Sequence, residues 1–417
     1  MPRIKKLLIS KIISDEEISS REGTWFTEDD LVHPVVRSNI DVYYLDESGQ
    51  EKLLLKYRKN QISDELCDLG WQSYKDLAKP SRGRGASAGP IHQEGQYFGK
   101  RSLVHTKKWS TGYLKPEGKL LKEELDLLSL DDVKSRAADK GVSVKEDDTK
   151  DVIIYNIVKE SNGVSSMKVN NQVASNPIGF YEESKNFAKL PCRLTHFTRV
   201  NYDKYQQGLP FIQQINKCFK KLIPESHQKQ LCKAKEKCHL QIPKTCFSTI
   251  TINRNFRTAL HRDAGDYKEG FGNLTVIERG KYHGGYTCFP QFGIGVDVRR
   301  GDFLAMDVHE WHTNTPIVET EEDKAFNSTL EPVFNDNPDV GTVGIYEKYT
   351  RLTFVCYLRG KISKCPDHKD LSEHDLAHLT KSGHSKIQHS KLKKIYYIIK
   401  WIKHNSELLM KNREHGP

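Results

Sequence analysis

The chain has 417 residues, of which 36% are hydrophobic and 29% are charged, so it can bury a sizeable core as two domains or as one domain with insertions. It has no apolar run long enough to span a membrane and no secretory signal at the N-terminus, and we therefore expect an intracellular protein. The formal net charge of +10 favours a polyanionic partner, of which nucleic acid is the common one, and a solubilising basic tail is the alternative.

Residues 1–115 are predicted to form a mixed segment of strands and helix. The stretches 42–45 and 53–57 are rich in aliphatic and aromatic residues and flank a polar turn, which is typical of a strand pair. A helix is predicted to follow across residues 63–75, with Ser63 or the next residue as its N-cap.

A loop rich in glycine and proline occupies residues 79–90 and contains Arg82 and Arg84. Exposed backbone amides and two guanidinium groups suit contact with nucleic-acid phosphates, and a plain flexible linker is the alternative. Residues 116–174 are predicted to be an insertion, with a surface helix at 120–138 and a mobile loop.

Residues 175–359 are predicted to form the main domain. Two helices are expected first, across residues 202–222 and 226–238, and short strands follow. Their Gly, Pro and Asn turns indicate an antiparallel sandwich or jelly-roll barrel. The candidate strands are at 247–252, 273–278, 285–289, 294–298, 302–306 and 349–358.

Two further regions complete the predicted organisation. The acidic stretch 318–348 is expected to be an insertion without strands between the last two strands. Residues 360–417 are basic and rich in histidine, and their segment 390–403 is predicted to be an amphipathic helix that packs back on the domain.

His261 and Asp263 are separated by one residue, so at a strand end both side chains project to the same face. His312 follows the strand that opens at Gly301 and is our choice for a third ligand, with His309 as the alternative. Two imidazoles and one carboxylate leave one face of a ferrous ion open for a co-substrate and dioxygen. The pattern therefore predicts an iron(II) centre of an oxygenase that uses 2-oxoglutarate.

Arg351 is predicted to bind the distal carboxylate of 2-oxoglutarate, because a guanidinium grips a carboxylate at two points. Thr353 lies on the same face of the same predicted strand and adds a hydroxyl. Asn253 and Arg257, on the strand that enters the site, are further candidates for contact with co-substrate or substrate.

Nine cysteines occur at irregular spacing, and an odd number without a framework predicts reduced, mostly buried thiols and no disulfide-linked partner. A zinc site at Cys232, Cys238 and His239 is an alternative. It is the weaker one, since no second pair of ligands has the required spacing.

Several motifs together resemble the TET/J-binding-protein family of nucleic-acid base oxygenases, and its fungal, algal and large-virus-like members most of all. Each motif is weak alone, but jointly they are specific and cover most of residues 50–360. The motifs lie at 80–90, 175–179, 255–263, 270–274, 284–290, 301–312 and 351–357.

The resemblance implies an α+β protein with a double-stranded β-helix core, buttressed by helices. It implies Fe(II), 2-oxoglutarate and O2 as cofactor and co-substrates, and oxidation of the 5-methyl group of thymine or 5-methylcytosine in DNA, with RNA as an open alternative. His261, Asp263 and His312 match the iron ligands of the family, and Arg351 matches its 2-oxoglutarate arginine. The expected location is the nucleus or the viral or host cytoplasm.

Alternatives remain at this point. A protein hydroxylase of the prolyl type shares the His-x-Asp pattern and the distal histidine, but usually grips the co-substrate with lysine instead of an arginine such as Arg351. An algal-type member of the family would use ascorbate. A degenerate module that only binds is disfavoured by the intact triad. The separation between His312 and Arg351 is longer than the family pattern, which leaves substrate choice open.

Overall fold

The computed structural model describes residues 4–81, 84–89, 116–146, 148–161, 173–183, 190–331, 333, 349–372 and 378–379. The strands are β1 Lys5–Ile9, β2 Ile40–Leu45, β3 Glu51–Arg58, β4 Pro80–Ser81, β5 Val173–Tyr181, β6 Arg193–Leu194, β7 Thr249–Arg254, β8 Gly272–Arg279, β9 His283–Gly284, β10 Thr287–Phe289, β11 Ile294–Val296, β12 Phe303–Met306, β13 Thr313–Asn314, β14 Ile317–Val318 and β15 Thr350–Tyr357. The helices are α1 Asp15–Ser20, α2 Asp64–Tyr74, α3 Pro116–Asp126, α4 Leu130–Asp139, α5 Lys150–Glu160, α6 His196–Val200, α7 Tyr202–Gln207, α8 Leu209–Leu222, α9 Pro224–Lys235 and α10 Glu321–Ser328.

A large, mostly antiparallel sheet organises the protein. Its strand order is β1-β2-β3-β12-β8-β15-β7-β5-β4, with β6 paired to β5. The pairing of β1 with β2 is parallel, and the other described pairs of this sheet are antiparallel. The N-terminal strands β2 and β3 therefore continue the sheet to which β7 and β15 belong, through the contact of β3 with β12.

Strand β15 at the centre of this sheet explains the two-sided packing. Leu352, Phe354 and Cys356 point to one face and join the apolar core beneath the helices. Thr353 and Val355 point to the opposite face, because successive side chains of a strand alternate. One face of the sheet thus rests on helices, and the other lines a cavity.

Helices α2 and α8 cover the first face. Helix α2 begins after Ser63, whose side chain accepts a hydrogen bond from the amide of Leu66. Helix α8 begins with Pro210 in its first turn and buries an apolar stripe that includes Phe211 and Phe219. This stripe packs on the sheet.

A smaller three-stranded sheet of order β11-β10-β13 faces the other side of the large sheet. A second apolar core fills the space between them, with Phe289, Phe292 and Ile294 from the small-sheet side and Leu304 and Met306 from the large sheet. The packing of two sheets face to face is typical of sandwich and barrel folds.

Helices α3, α4 and α5 form a separate packed unit within the predicted insertion. Val133 and Ala137 of α4 pack against apolar residues of α5 such as Ile153 and Ile157, and all four are buried. One long helix was expected at 120–138. Two helices are present instead, because Ser129 interrupts the first and caps the second by accepting a hydrogen bond from the amide of Asp132.

Most predicted elements are confirmed. Strands β2 and β3 pair as expected, with one register shift between Val42 and Tyr43. The helix expected at 202–222 is divided at Gly208 into α7 and α8. The acidic stretch 318–348 was expected to contain no strands. Its first residue, Val318, ends β14, and its described part contains the helix α10, which starts with a capping box formed by Thr320 and Asp323. The tail segment 390–403 lies outside the described residues.

The prediction that all cysteines are reduced is wrong for one pair. Cys192 and Cys365 form a disulfide with a sequence separation of 173 residues. They meet because β6 and the segment that follows β15 adjoin the same buried cluster, which includes Phe180 and Ile362. Five of the seven other cysteines are buried.

Among the described residues, no helix combines the length and the apolar character needed to cross a membrane.

Asp302 is a buried carboxylate that holds the turn before β12. It accepts hydrogen bonds from the amides of Asn60 and Arg299, each 3.0 Å long, and from the Tyr57 hydroxyl. We expect Asp302→Ala to lower the free energy of unfolding by about 3–5 kcal/mol, because it leaves several buried donors without acceptors. Urea denaturation measures this effect.

The matched control is Asp46→Ala in the turn between β2 and β3. The Asp46 carboxylate also accepts two amide hydrogen bonds, from Ser48 and Gln50, but in an exposed turn. We expect Asp46→Ala to lower the free energy of unfolding by about 1 kcal/mol or less. Equal losses for the two variants would contradict the structural role of Asp302.

Candidate metal centre

Two short backbone segments bring the predicted histidines together. The amide of His261 donates to the carbonyl of His312, and the amide of His312 donates to the carbonyl of His261, each at 3.0 Å. This pair is an isolated antiparallel bridge between the segment after β7 and the segment before β13. Side chains of directly opposite residues project to the same side, so the two imidazole rings lie beside each other, with centroids 4.3 Å apart.

Asp263 completes the group from two residues further along. Its carboxylate oxygens lie 3.8 Å from Nε2 of His261 and 3.8 Å from Nε2 of His312. All three ligand atoms lie within 4.8 Å of one another, and this is the one such group of His, Cys, Asp or Glu within the described ranges. The arrangement is that of three groups able to converge on one ion.

The other ring nitrogen of each histidine has a fixed partner. Nδ1 of His261 lies 2.7 Å from the carbonyl of Ala259, and Nδ1 of His312 lies 2.9 Å from the carbonyl of Glu310. Donation from Nδ1–H to a carbonyl leaves the Nε2 lone pair free, and both Nε2 atoms face Asp263. The rings are therefore held in the tautomer that a metal requires.

Burial sets the electrostatics of the site. The side chains of His312 and His261 are 6% and 15% exposed, whereas that of Asp263 is 34% exposed. Burial, and then the neighbouring His312, lowers the pKa of His261 to about 4. The imidazole of His261 is consequently neutral at physiological pH, which is the form that binds metal ions.

The triad opens into a cavity of about 220 Å³ between the two sheets. The large sheet contributes Leu274 and Met306, and the small sheet contributes Thr287 and Asn314. The remaining lining residues are Arg84, Ser87, Thr251, Asn253, Phe256, Thr258, His261, Arg262, Asp263, Ala264, Gly265, Asp266, His312, Thr353, Val355, Tyr357 and Arg359.

The predicted co-substrate residues are only partly brought to this cavity. Asn253 and Thr353 line it as opposite residues of β7 and β15, and Nδ2 of Asn253 donates to Oγ1 of Thr353 at 3.1 Å. Arg351 is two residues before Thr353, is 3% exposed and lies just beyond the lining, beside Gly285. Nη2 of Arg351 is buried and has no hydrogen-bond partner among the residues that the structure describes.

Arg257 is not brought to the cavity. Its Nη2 donates to the carbonyl of Phe26 at 2.6 Å, and its guanidinium stacks over the ring of Trp25 at 4.6 Å. The predicted contact of Arg257 with co-substrate or substrate therefore has no support in this geometry. Arg84 lies in the cavity wall, where Nη1 is 3.4 Å from Oγ1 of Thr251. Arg82 lies outside the described residues.

Several polar residues of the lining were not predicted from the sequence, and Asp266 and Arg359 are two of them. Asp266 lies three residues after Asp263, and burial, followed by the charge of Asp263, raises the pKa of Asp266 well above its usual range. Arg359 is joined to Asp266 by a backbone bridge, and its guanidinium pairs with both carboxylate oxygens of Glu182. Proximity to the His-x-Asp motif was the available signal for Asp266. No sequence pattern near Arg359 indicates that it lines this cavity.

The two alternative metal ligand sets are not formed. His309 is held away from the triad, with Nε2 lying 3.3 Å from the carbonyl of Tyr267. Cys232, Cys238 and His239 do not form a metal-binding group, since the triad is the one cluster of this kind in the described part of the chain.

Comparison with protein families gives a match to residues 176–360. The matching model is named Tet_JBP and is described as the oxygenase domain of the 2OGFeDO superfamily. The matched segment contains all three members of the triad together with Arg351. The resemblance inferred from the motifs is confirmed by this match.

Curated relatives cover the same part of the chain. The bifunctional helicase and thymine dioxygenase JBP2 of Leishmania major is 35% identical over 182 residues, which are 44% of this chain and 14% of that protein. Its counterpart from Leishmania tarentolae is 31% identical with the same coverage. Thymine dioxygenase JBP1-A of Trypanosoma cruzi is 30% identical over 186 residues, 45% of this chain and 19% of that protein.

The chain thus spans less than one fifth of the length of these relatives. Among solved structures, NgTET1 in complex with 5mC DNA aligns with a TM-score of 0.39 at 11% identity, covering 87% of this chain and 98% of that one. A likeness at this level does not establish a common fold.

The triad can be tested by direct metal titration. We expect His312→Ala and His261→Ala to weaken binding of iron(II) or cobalt(II) by more than about 100-fold, because each removes one of three ligands. His309→Ala is the matched control and should bind like the wild type, since its ring faces Tyr267. Loss of binding in the His309 variant, with retention in the His312 variant, would reassign the third ligand.

Proposed function

We propose, from the membership of residues 176–360 in the Tet_JBP family of oxygenase domains, that this protein is an iron(II)- and 2-oxoglutarate-dependent dioxygenase that hydroxylates the 5-methyl group of a pyrimidine in DNA. The observation that carries the proposal is the convergence of His261, Asp263 and His312 at one cavity within the matched segment. Thymine is the first candidate base, because the curated relatives are named thymine dioxygenases.

The residues present fit an iron(II) ion. Two imidazoles and one carboxylate are hard and borderline ligands that suit ferrous iron and leave coordination positions free. When bound there, iron(II) together with 2-oxoglutarate and dioxygen supplies an oxidant strong enough to hydroxylate a C–H bond. The protein holds both rings through the carbonyls of Ala259 and Glu310 and excludes water on the His312 side.

The residues also fit a dicarboxylate. Nη2 of Arg351 is buried and has no hydrogen-bond partner in the part of the chain that the structure describes, and a carboxylate of the co-substrate would satisfy it. Thr353 accepts a hydrogen bond from Asn253, so its own hydroxyl hydrogen remains able to donate to a ligand. These three residues are our proposed 2-oxoglutarate contacts.

The size of the cavity bears on the substrate. A volume of about 220 Å³ admits a single base and not a duplex, so a base in double-stranded DNA must be flipped out to reach the triad. Arg262 is exposed on the lining and stacks over Trp311 at 4.4 Å, and Arg84 lies in the wall. We assign these arginines to the DNA phosphates, which makes binding weaker at high salt.

The finer architecture belongs to the same proposal. The large sheet and the facing small sheet suit a double-stranded β-helix, with residues 175–359 as the oxygenase domain, 1–115 as an N-terminal mixed segment, 116–174 as an insertion and 360–417 as a basic tail. An enzyme of this type acts where its DNA is, in the nucleus or in a viral or host cytoplasm. The use of ascorbate stays a prediction.

The activity is tested with oligonucleotides that contain thymine or 5-methylcytosine, incubated with iron(II), 2-oxoglutarate and air. We expect hydroxymethylated nucleosides by mass spectrometry, formed only when both iron(II) and 2-oxoglutarate are present, and none with His312→Ala. Unchanged nucleosides from both oligonucleotides, together with hydroxylation of a proline-containing peptide, would replace this proposal with a protein hydroxylase.

The co-substrate assignment has its own test. We expect Arg351→Ala to raise the KM for 2-oxoglutarate by roughly 10- to 100-fold, because it removes charge-assisted hydrogen bonds to a carboxylate. Arg279→Ala is the control. Arg279 is the last residue of β8 and pairs with Thr350 of β15, and its guanidinium donates to the carbonyl of Glu331 at 2.8 Å. An unchanged KM in the Arg351 variant would remove this residue from the site.

A further inference from the structure

Both histidines of the triad depend on residues that lie outside the matched segment 176–360. The carbonyl that accepts the hydrogen bond from His261 belongs to Ala259, and the amide of Ala259 donates to the carbonyl of Ser87 at 2.9 Å. The next residue, Leu260, exchanges two backbone hydrogen bonds with Gly23 and Thr24, of 2.8 and 3.0 Å. The N-terminal segment thus pairs directly with the backbone of the segment that carries His261.

The support for His312 is a side-chain contact from the same N-terminal segment. Tyr44 on β2 donates from its hydroxyl to the carboxylate of Glu310 at 2.8 Å. Glu310 is the residue whose backbone carbonyl lies 2.9 Å from Nδ1 of His312. A single residue therefore links the β2 strand to the ring of a candidate metal ligand.

Tyr44 is itself rigidly placed. It is 6% exposed, and its ring packs against that of Phe292 with centroids 4.9 Å apart. Burial and the neighbouring carboxylate of Glu310 raise the pKa of Tyr44, so the hydroxyl stays protonated and acts as the donor. A buried donor in a fixed ring is well suited to hold an otherwise half-exposed glutamate.

Other hydrogen bonds hold the rest of the turn, and the backbone amide of Glu310 makes a longer one. The amide of Asp307 donates to the carbonyl of Leu54 on β3 at 2.8 Å, and the amide of His309 donates to the Asp307 carboxylate at 3.0 Å. The amide of Glu310 makes only a longer bond, of 3.4 Å, to the carbonyl of Asp307. The Tyr44 contact is therefore the shorter of the two bonds that fix Glu310.

We propose that Tyr44 is a positioning residue for His312, because its hydroxyl anchors Glu310 and thereby fixes the carbonyl that orients the imidazole. This inference rests on the proposed metal-binding role of the triad. It makes the N-terminal segment a structural component of the metal centre, although that segment lies outside the family match. Partners beyond the first ligands commonly set metal affinity by holding ligand rings in the productive orientation.

The test compares Tyr44→Phe with Tyr43→Phe, its neighbour on the same strand with the ring on the opposite side of the sheet. Tyr44→Phe keeps the ring packed on Phe292 and removes only the hydroxyl. We expect it to raise the dissociation constant for cobalt(II), measured anaerobically by ligand-field absorption, by about 3- to 10-fold, which is less than the effect of a direct ligand partner. The ligand-field spectrum should also change, whereas Tyr43→Phe should match the wild type in both measurements.

A second pair of variants separates positioning from general loss of stability. Glu310→Gln keeps an oxygen that accepts the Tyr44 hydrogen bond and should bind cobalt(II) like the wild type. Glu310→Leu removes the acceptor and should reproduce the Tyr44→Phe spectrum, and the double variant with Tyr44→Phe should show no further loss. Additive losses of cobalt(II) affinity in the double variant would contradict the positioning role of Tyr44. Equal cobalt(II) affinities of Tyr44→Phe and Tyr43→Phe would contradict it as well.

The outcome for the wild type distinguishes this inference from the proposed function. If wild-type protein binds cobalt(II) and His312→Ala does not, the metal centre stands, and an unaffected Tyr44 variant rejects only the positioning role. If the wild type binds no cobalt(II), the metal centre and the role of Tyr44 are both rejected.

Discussion

The reciprocal backbone hydrogen bonds between His261 and His312 are the constraint on which the site depends. They place two imidazoles from distant parts of the chain side by side, and Asp263 then enters the same space because it is two residues beyond His261. A shift of one residue in this pairing would turn one imidazole ring to the opposite face, and the three ligand atoms would no longer converge.

The large sheet supports this pairing by dividing its two faces between different tasks. Its apolar face packs on α2 and α8, which anchors β7 and β15 in the core. Its other face carries polar residues that satisfy one another, as Asn253 does with Thr353 and with Ser175. Burying polar groups is costly unless they are hydrogen-bonded. Nη2 of Arg351 has no partner within the described ranges and therefore stands out as a position where a bound anion would complete the network.

Regions outside the family match also contribute contacts that hold the sheet and the site. The N-terminal strands extend the large sheet, and residues 23–24 and Ser87 pair with the backbone next to His261. The Cys192–Cys365 disulfide joins the matched segment to a residue that lies beyond it, close in sequence to the Arg359 that pairs with Glu182. A domain defined by the match alone would therefore lack several of the contacts that hold its cavity.

The amino-acid sequence by itself determined the local features: the strand pair at β2 and β3, the Ser63 helix cap, the short strands of the main domain and the composition of the triad. These follow from periodicity, capping and the two-residue spacing of His261 and Asp263, all of which act over a few residues. Only the tertiary structure decided that Arg257 faces Trp25, that Cys192 meets Cys365 and that Tyr44 reaches Glu310. Such contacts depend on which distant strands pair and in which register, and that choice is made by the packing of the whole core rather than by any local pattern.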